Sequence, residues 1–252
     1  MKNLMTNKSM QAVLLGLALL GITSCTVSPT SPADSGSNIV MRTQLDNSAV
    51  HSTRSGSGTT DSLQVTSAAF AVSNFMLRSD ISDDQNDPNL AEGNIRPQQF
   101  LLGFDVSGRQ YIGESIIYSA TYRRARFDIH PLQGNPDSLS LALGSLYGSL
   151  FRPGEDVPAN TTIVIRGYVW QSGIQMPFTY RSAVTGSGSV FFNQPLVVTA
   201  GSPMEVLVSF SSQTAFTDGS GMIMDPRDGR NAAAIETNLK GALKASVSAS
   251  GN

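Results

Sequence analysis

Apolar residues along most of this chain recur at alternate positions, in short runs separated by Gly, Pro, Asn and Asp. A period of two marks strands with one buried face. The first long run covers residues 63–79. Phe70, Val72, Asn74 and Met76 share one parity there, and Phe75 and Leu77 continue on the other. Such a switch predicts a bulge, or a strand buried on both faces. A polar loop at 80–97 and a strand at 99–106 follow. Within 115–130, Tyr122, Arg124, Arg126 and Asp128 alternate with Ala125, Phe127 and Ile129, which predicts a half-buried strand with a basic outer face. Four more runs lie at 162–171, 175–183, 189–199 and 204–212. Gln171-Ser172-Gly173-Ile174 and Gly186-Ser187-Gly188 have hairpin chemistry, and Pro195 predicts an edge or bulge inside its run.

Two segments change period. After Asn135-Pro136, a cap followed by a first-turn proline, Leu139, Leu143, Leu146, Tyr147 and Leu150 repeat at helical spacing. Gly144 and Gly148 weaken that helix. Near the C-terminus Ile235, Leu239, Ala242 and Leu243 form an apolar stripe, capped by Asn231, with Glu236 and Lys240 spaced as an i, i+4 ion pair. These elements predict a mainly β fold over 62–246. We read it as an antiparallel β-sandwich of about seven strands, immunoglobulin- or transthyretin-like, with a C-terminal amphipathic helix and one inserted helix. Residues 247–252 read as a disordered tail.

The N-terminus is of another kind. Lys2 and Lys8 precede an apolar run over 12–22, which ends in Ile22-Thr23-Ser24-Cys25. A run that short falls below the ~20 residues of a spanning helix, so residues 1–24 read as an export signal. The last four residues resemble a bacterial lipobox, which implies cleavage before Cys25 and acylation of its thiol. Cys25 is the only cysteine, and lipid attachment accounts for it where a disulfide cannot. The implied partner is a lipid bilayer. Thr26 stands where an inner-membrane retention signal has Asp, so the resemblance favours the outer membrane. Residues 25–61, rich in Ser, Thr, Gly and Pro, read as a disordered tether with a reach of roughly 30 Å. The apolar patch Ile39-Val40-Met41 interrupts it.

Removing residues 1–24 takes away two lysines and no acids, which leaves 15 cations against 19 acids, a net charge of −4. That balance argues against nucleic-acid binding. Two histidines, His51 and His130, and one cysteine are too few for a zinc centre. No G-x-S-x-G or S-x-x-K set appears, and His130 before Pro131 reads as a turn residue. Asp80, Asp83, Asp84 and Asp87 gather hard oxygen ligands of the kind calcium takes, without the order of an EF-hand loop. A solvated loop is the plainer reading, and no other cofactor is implied. Asp218, Asp225 and Asp228 read as turn chemistry ahead of the last helix. Tyr168, Trp170, Phe178 and Tyr180 lie on adjacent strands of one hairpin. They read as core, or, if exposed, as a platform for a sugar or peptide.

The segments V-T-S-A-A-F-A-V-S-N-F-M-L, I-R-G-Y-V-W…M-P-F-T-Y-R-S and M-D-P-R-D-G-R-N…I-E-T-N-L-K-G-A-L-K-A resemble a family of uncharacterised bacterial cell-envelope lipoproteins with a β-sandwich domain. The resemblance implies a fold and an address, and carries no catalytic residues. The function expected is a non-enzymatic, membrane-anchored module that binds an envelope protein or glycan. A structural subunit of a fimbria-like assembly, or an envelope glycan-active enzyme, are the alternatives.

Overall fold

A computed structural model describes residues 36–46, 49–52, 60–80, 90–151 and 158–249. The signal, Cys25 and the loop carrying Asp83, Asp84 and Asp87 lie outside them. The described chain is mainly β, and its 12 strands join in one curled mixed sheet. This corrects the seven-stranded antiparallel sandwich.

The organising strand is the third. After β1 (Ser37–Asp46) and the two-residue β2 (Val50–His51), β3 runs from Ser62 to Arg78. On one edge it pairs with β4 (Glu92–Arg96) and β5 (Phe100–Asp105), which continue one another along it. On the other edge it pairs with β7 (Ala120–Ile129) and then β8 (Ile163–Gln171). The parity switch expected near Asn74 is a bulge. Asn74 takes a positive φ of 51°, and both the β4 and the β7 register shift beside it.

The remaining order is β6 (Gln110–Ile117), β1, β11 (Met204–Ser211), β12 (Leu243–Ala249), β10 (Gly186–Val198), β7, β3, β8, β9 (Ile174–Ser182). Curling brings β6 against β4, where Arg96 Nη1 donates to Ile112 O at 2.8 Å. A Cβ on Gly93 would stand 2.7 Å from Ile117 Cγ2, so the glycine permits that approach. Inside, Phe70, Phe104 and Phe210 meet at centroid distances of 5.8–5.9 Å, and Phe75 stacks on Phe127 at 5.6 Å. Pro195 falls in a bulge: β10 leaves its register with β7 between Phe191 and Leu196.

Three expectations at the ends fail. The supposed tether contains β1, which sits between β6 and β11 and buries Ile39, Met41, Thr43 and Leu45. Its pairing with β11 is parallel. The C-terminal helix is shorter than its stripe: α3 covers Ala232–Leu239, and the chain re-enters the sheet as β12. Gly241 separates them, and Leu243, Ala245 and Val247 then alternate with Lys244, Ser246 and Ser248 between buried and exposed sides. The tail expected from 247 is therefore strand as far as Ala249.

The inserted helix forms between β7 and β8. In α1 (Pro136–Leu146) Asn135 accepts from Ser138 N at 2.8 Å with Pro136 in the first turn. Gly144, at φ 66°, breaks the helix, and a π-helical turn follows at Tyr147–Phe151. Leu139, Tyr147, Leu150 and Phe151 cover Ala69, Ala71 and Val164 in a small satellite core. α2 (Ser212–Phe216) is capped by Ser211, whose Oγ accepts from Thr214 N at 3.3 Å. None of these helices is long and apolar enough to cross a membrane among the described residues.

Burying the apolar side chains of β1 contributes about 1.5–3 kcal/mol each, so β1 decides whether the domain folds. A chain starting at residue 36 should unfold cooperatively in urea with the full-length midpoint. One starting at residue 47 should show no folded baseline by circular dichroism; a cooperative transition there would contradict the position of β1.

Candidate functional site

A cleft opens between the inner faces of β3 and β7, the start of β10 and the end of α3. About 680 Å³ of empty space lies there, part of it continuous with solvent. Phe70, Phe127, Leu239 and Leu243 form its floor, Ile129 and Val184 its walls, and Thr185, Ser187 and Lys240 its rim. Apolar clefts with a few convergent polar groups are the usual form of a small-ligand site.

The sequence builds the cleft through its glycines. Gly186 has φ +136°, a conformation that L side chains rarely adopt, and turns the chain into β10. Gly188 pairs with Phe127, and a Cβ there would stand 2.5 Å from the Phe127 ring. The ring therefore tips over the glycine and forms part of the floor. On the opposite side Ile235 and Leu239 hold α3 in the core.

Lys240 supplies the charge. It caps the C-terminal end of α3, where the helix dipole favours a cation, and it is exposed at the mouth. The expected ion pair with Glu236 does not form; Ser182 Oγ instead donates to Glu236 Oε1 at 2.7 Å. Lys240 has no ion-pair partner among the described residues. Ser187 on the facing rim donates to Asp128 Oδ1 at 2.8 Å. Burial pushes the Asp128 carboxyl up, but hydrogen bonds from Asn74 and Ser187, with the charges of Arg126 and His130, bring it below its ordinary range. Asp128 therefore stays ionised and occupied on the outer side of β7.

Residues singled out from sequence have mixed fates. Asp80 is no open calcium ligand: Arg78 Nε meets Oδ1 at 3.0 Å and Arg124 Nη2 meets Oδ2 at 2.8 Å. The three side chains are only 1%, 3% and 6% exposed for Arg78, Arg124 and Asp80. This also corrects the basic outer face, because Arg124 and Tyr122 are buried. Asp83, Asp84 and Asp87 lie outside the described residues, and among the described residues no three His, Cys, Asp or Glu are grouped to hold a metal. Asp225 and Asp228 do turn work, each clasping the arginine two positions on at 2.6 Å. Hydrogen bonds from the Arg230 side chain and backbone hold Asp228 at about 2. His130 ties the end of β7 to β3, with Nε2 2.7 Å from Ser73 Oγ and Nδ1 2.8 Å from Pro131 O.

The four aromatics divide. Phe178 and Tyr180 are core, packing edge-on against Phe216 of α2 at 5.8 and 6.3 Å. Tyr168 and Trp170 lie on the other face of the hairpin, with rings 6.3 Å apart. Lys240 and the glycine-rich rim were missed as a site, because the cleft assembles from four segments far apart in the chain. Cys25, the expected lipid attachment point, lies outside the described residues.

Comparison of the chain with protein-family models, with curated proteins and with solved structures gives no match.

Removing one partner of a buried ion pair leaves an uncompensated charge and costs about 3–5 kcal/mol. Asp80→Ala removes the carboxylate that both buried arginines share, leaving Arg78 only its longer contact to Glu92 at 3.5 Å, and should lower the urea-derived stability by about that amount. Millimolar calcium should shift neither the wild-type nor the mutant midpoint. A wild-type midpoint that rises with calcium would restore the metal reading.

Proposed function

We propose that this chain is a lipid-anchored bacterial envelope protein that binds, without catalysis, a small amphipathic ligand with an apolar body and an anionic head. The observation that carries the reading is the apolar cleft with an unpaired lysine at its mouth. Apolar surface removed from water contributes about 25 cal/mol per Å²; Phe70, Phe127, Leu239 and Leu243 are themselves buried, so the gain comes mainly from the ligand's own hydrocarbon surface. Lys240 is placed to meet a carboxylate or phosphate at the solvent end. Its single charge orients the ligand more than it holds it, since exposed ion pairs are worth about 1 kcal/mol at most.

The address rests on the sequence. Ile22-Thr23-Ser24-Cys25 after a short apolar run supports processing to an acylated Cys25, and Thr26 supports the outer membrane. Each buried acyl methylene contributes about 0.8 kcal/mol, and stable anchoring takes more than one chain. The likeness to envelope lipoproteins with a β domain points the same way.

Two experiments test this. Cys25→Ser expressed in a bacterial host should leave the membrane fraction or stay unprocessed; unchanged membrane fractionation would refute the anchor. A fluorescent fatty acid titrated into the protein should bind saturably. Lys240→Glu should weaken it by about 1 kcal/mol, roughly fivefold in Kd, and leave the matching fatty alcohol unaffected. Equal loss for acid and alcohol, or no saturable binding, would defeat the amphiphile reading.

A further inference from the structure

A second surface lies on the outer face of β3, β8 and β9, away from the cleft. Backbone register lines up three rows across it: Ser62, Trp170 and Gln175; Gln64, Tyr168 and Pro177; Ser67, Arg166 and Thr179. Tyr168 is 37% exposed and Trp170 half-buried. Their rings, 6.3 Å apart and inclined at 55°, stand two residues apart on one strand. Strands spaced about 4.8 Å apart place the polar side chains of β3 on one side of the rings and those of β9 on the other. Gln175 and Thr179 are exposed, and Arg166 is the one formal charge in the three rows.

Two aromatic faces bordered by an amide, a hydroxyl and a guanidinium match the chemistry of a sugar. The C–H face of a pyranose stacks on a ring, and its hydroxyls need both donors and acceptors in the plane beyond. The scarcity of charge points to an uncharged sugar. A peptide adding to the sheet edge fits less well. β9 is an edge strand, but Pro177 in its middle has no N–H to offer a neighbour.

We propose that this face binds an uncharged oligosaccharide, with Tyr168 and Trp170 stacking on sugar rings and Gln175 and Thr179 bonding to hydroxyls. The cleft plays no part in it, so the two readings stand or fall separately.

Trp170 is the only tryptophan in the chain, so its emission reports on the site directly. The full-length protein is titrated with soluble β-linked glucose, β-linked N-acetylglucosamine and α-linked glucose oligosaccharides. At least one series should change the emission saturably. Tyr168→Ala should weaken that binding roughly fivefold, and Gln175→Ala should also weaken it, both with an unchanged urea midpoint. Lys240→Glu should bind the sugar as the wild type does. No saturable change with any series at millimolar concentration would overturn the proposal. So would equal affinity in Tyr168→Ala, or binding of a proline-rich peptide in place of every sugar.

Discussion

The structure depends on keeping both edges of one long strand paired. β3 spans 17 residues, and an unpaired buried N–H or C=O costs as much as a lost hydrogen bond. No single partner covers either edge, so each is covered by shorter strands laid end to end: β2, β5 and β4 on one side, β8 and β7 on the other. The junction between β7 and β8 is where α1 and the π-helical turn enter. Their apolar side chains cover Ala69 and Ala71, small residues that leave room on the outside of β3. The bulge at Asn74 lets the strand bend where its partners change. A non-glycine residue pays about 1–2 kcal/mol for that left-handed conformation. Two bonds offset it, from Asn74 Nδ2 to Asp128 at 2.9 Å and from Asn74 N to Pro97 O at 3.2 Å.

Much of this was legible. The parity switch in β3, the bulge at Pro195 and the Asn135 cap each rest on local chemistry, and local chemistry carries through to the fold. β1 and β12 were missed for a common reason. Each completes the sheet through a parallel pairing with a partner far along the chain, β1 with β11 and β12 with β10, and no hairpin turn announces such a neighbour. Ile39, Met41 and Leu45 do alternate, but within a Ser- and Thr-rich stretch that reads as solvated chain. The stripe through Leu239, Ala242 and Leu243 reads as one helix until Gly241 is allowed to end it. All three residues are buried, as the stripe requires, but on two kinds of element.

The aromatic hairpin shows what a turn settles. Ser172 and Gly173 both have positive φ, 53° and 77°, the two-residue geometry that joins Gln171 directly to Ile174. That register places Phe178 opposite Gly167 and Tyr168 opposite Pro177, so the two aromatic pairs must fall on opposite faces. Gly167 has no room for a side chain, since a Cβ would stand 2.1 Å from Gln64 O. The position of Arg124 lay beyond such reasoning. Alternation assigns it to a face, but whether that face meets water depends on tertiary cover, and here Asp80 and Arg78 are packed beside it.

The same alternation keeps the two proposed binding surfaces apart. Phe70 reaches the cleft from the inner face of β3, and Ser62 and Gln64 border the aromatic pair from its outer face. Coupling between sites needs an element with two arrangements that both ligands bias. β3 is a poor candidate. A one-residue slip would exchange its faces, and its register is pinned by shifts at residues 65–67 and 73–76 and by paired strands on both edges. Occupation of one surface should therefore leave affinity at the other unchanged, so that a domain of this build could hold a glycan and an amphiphile at once.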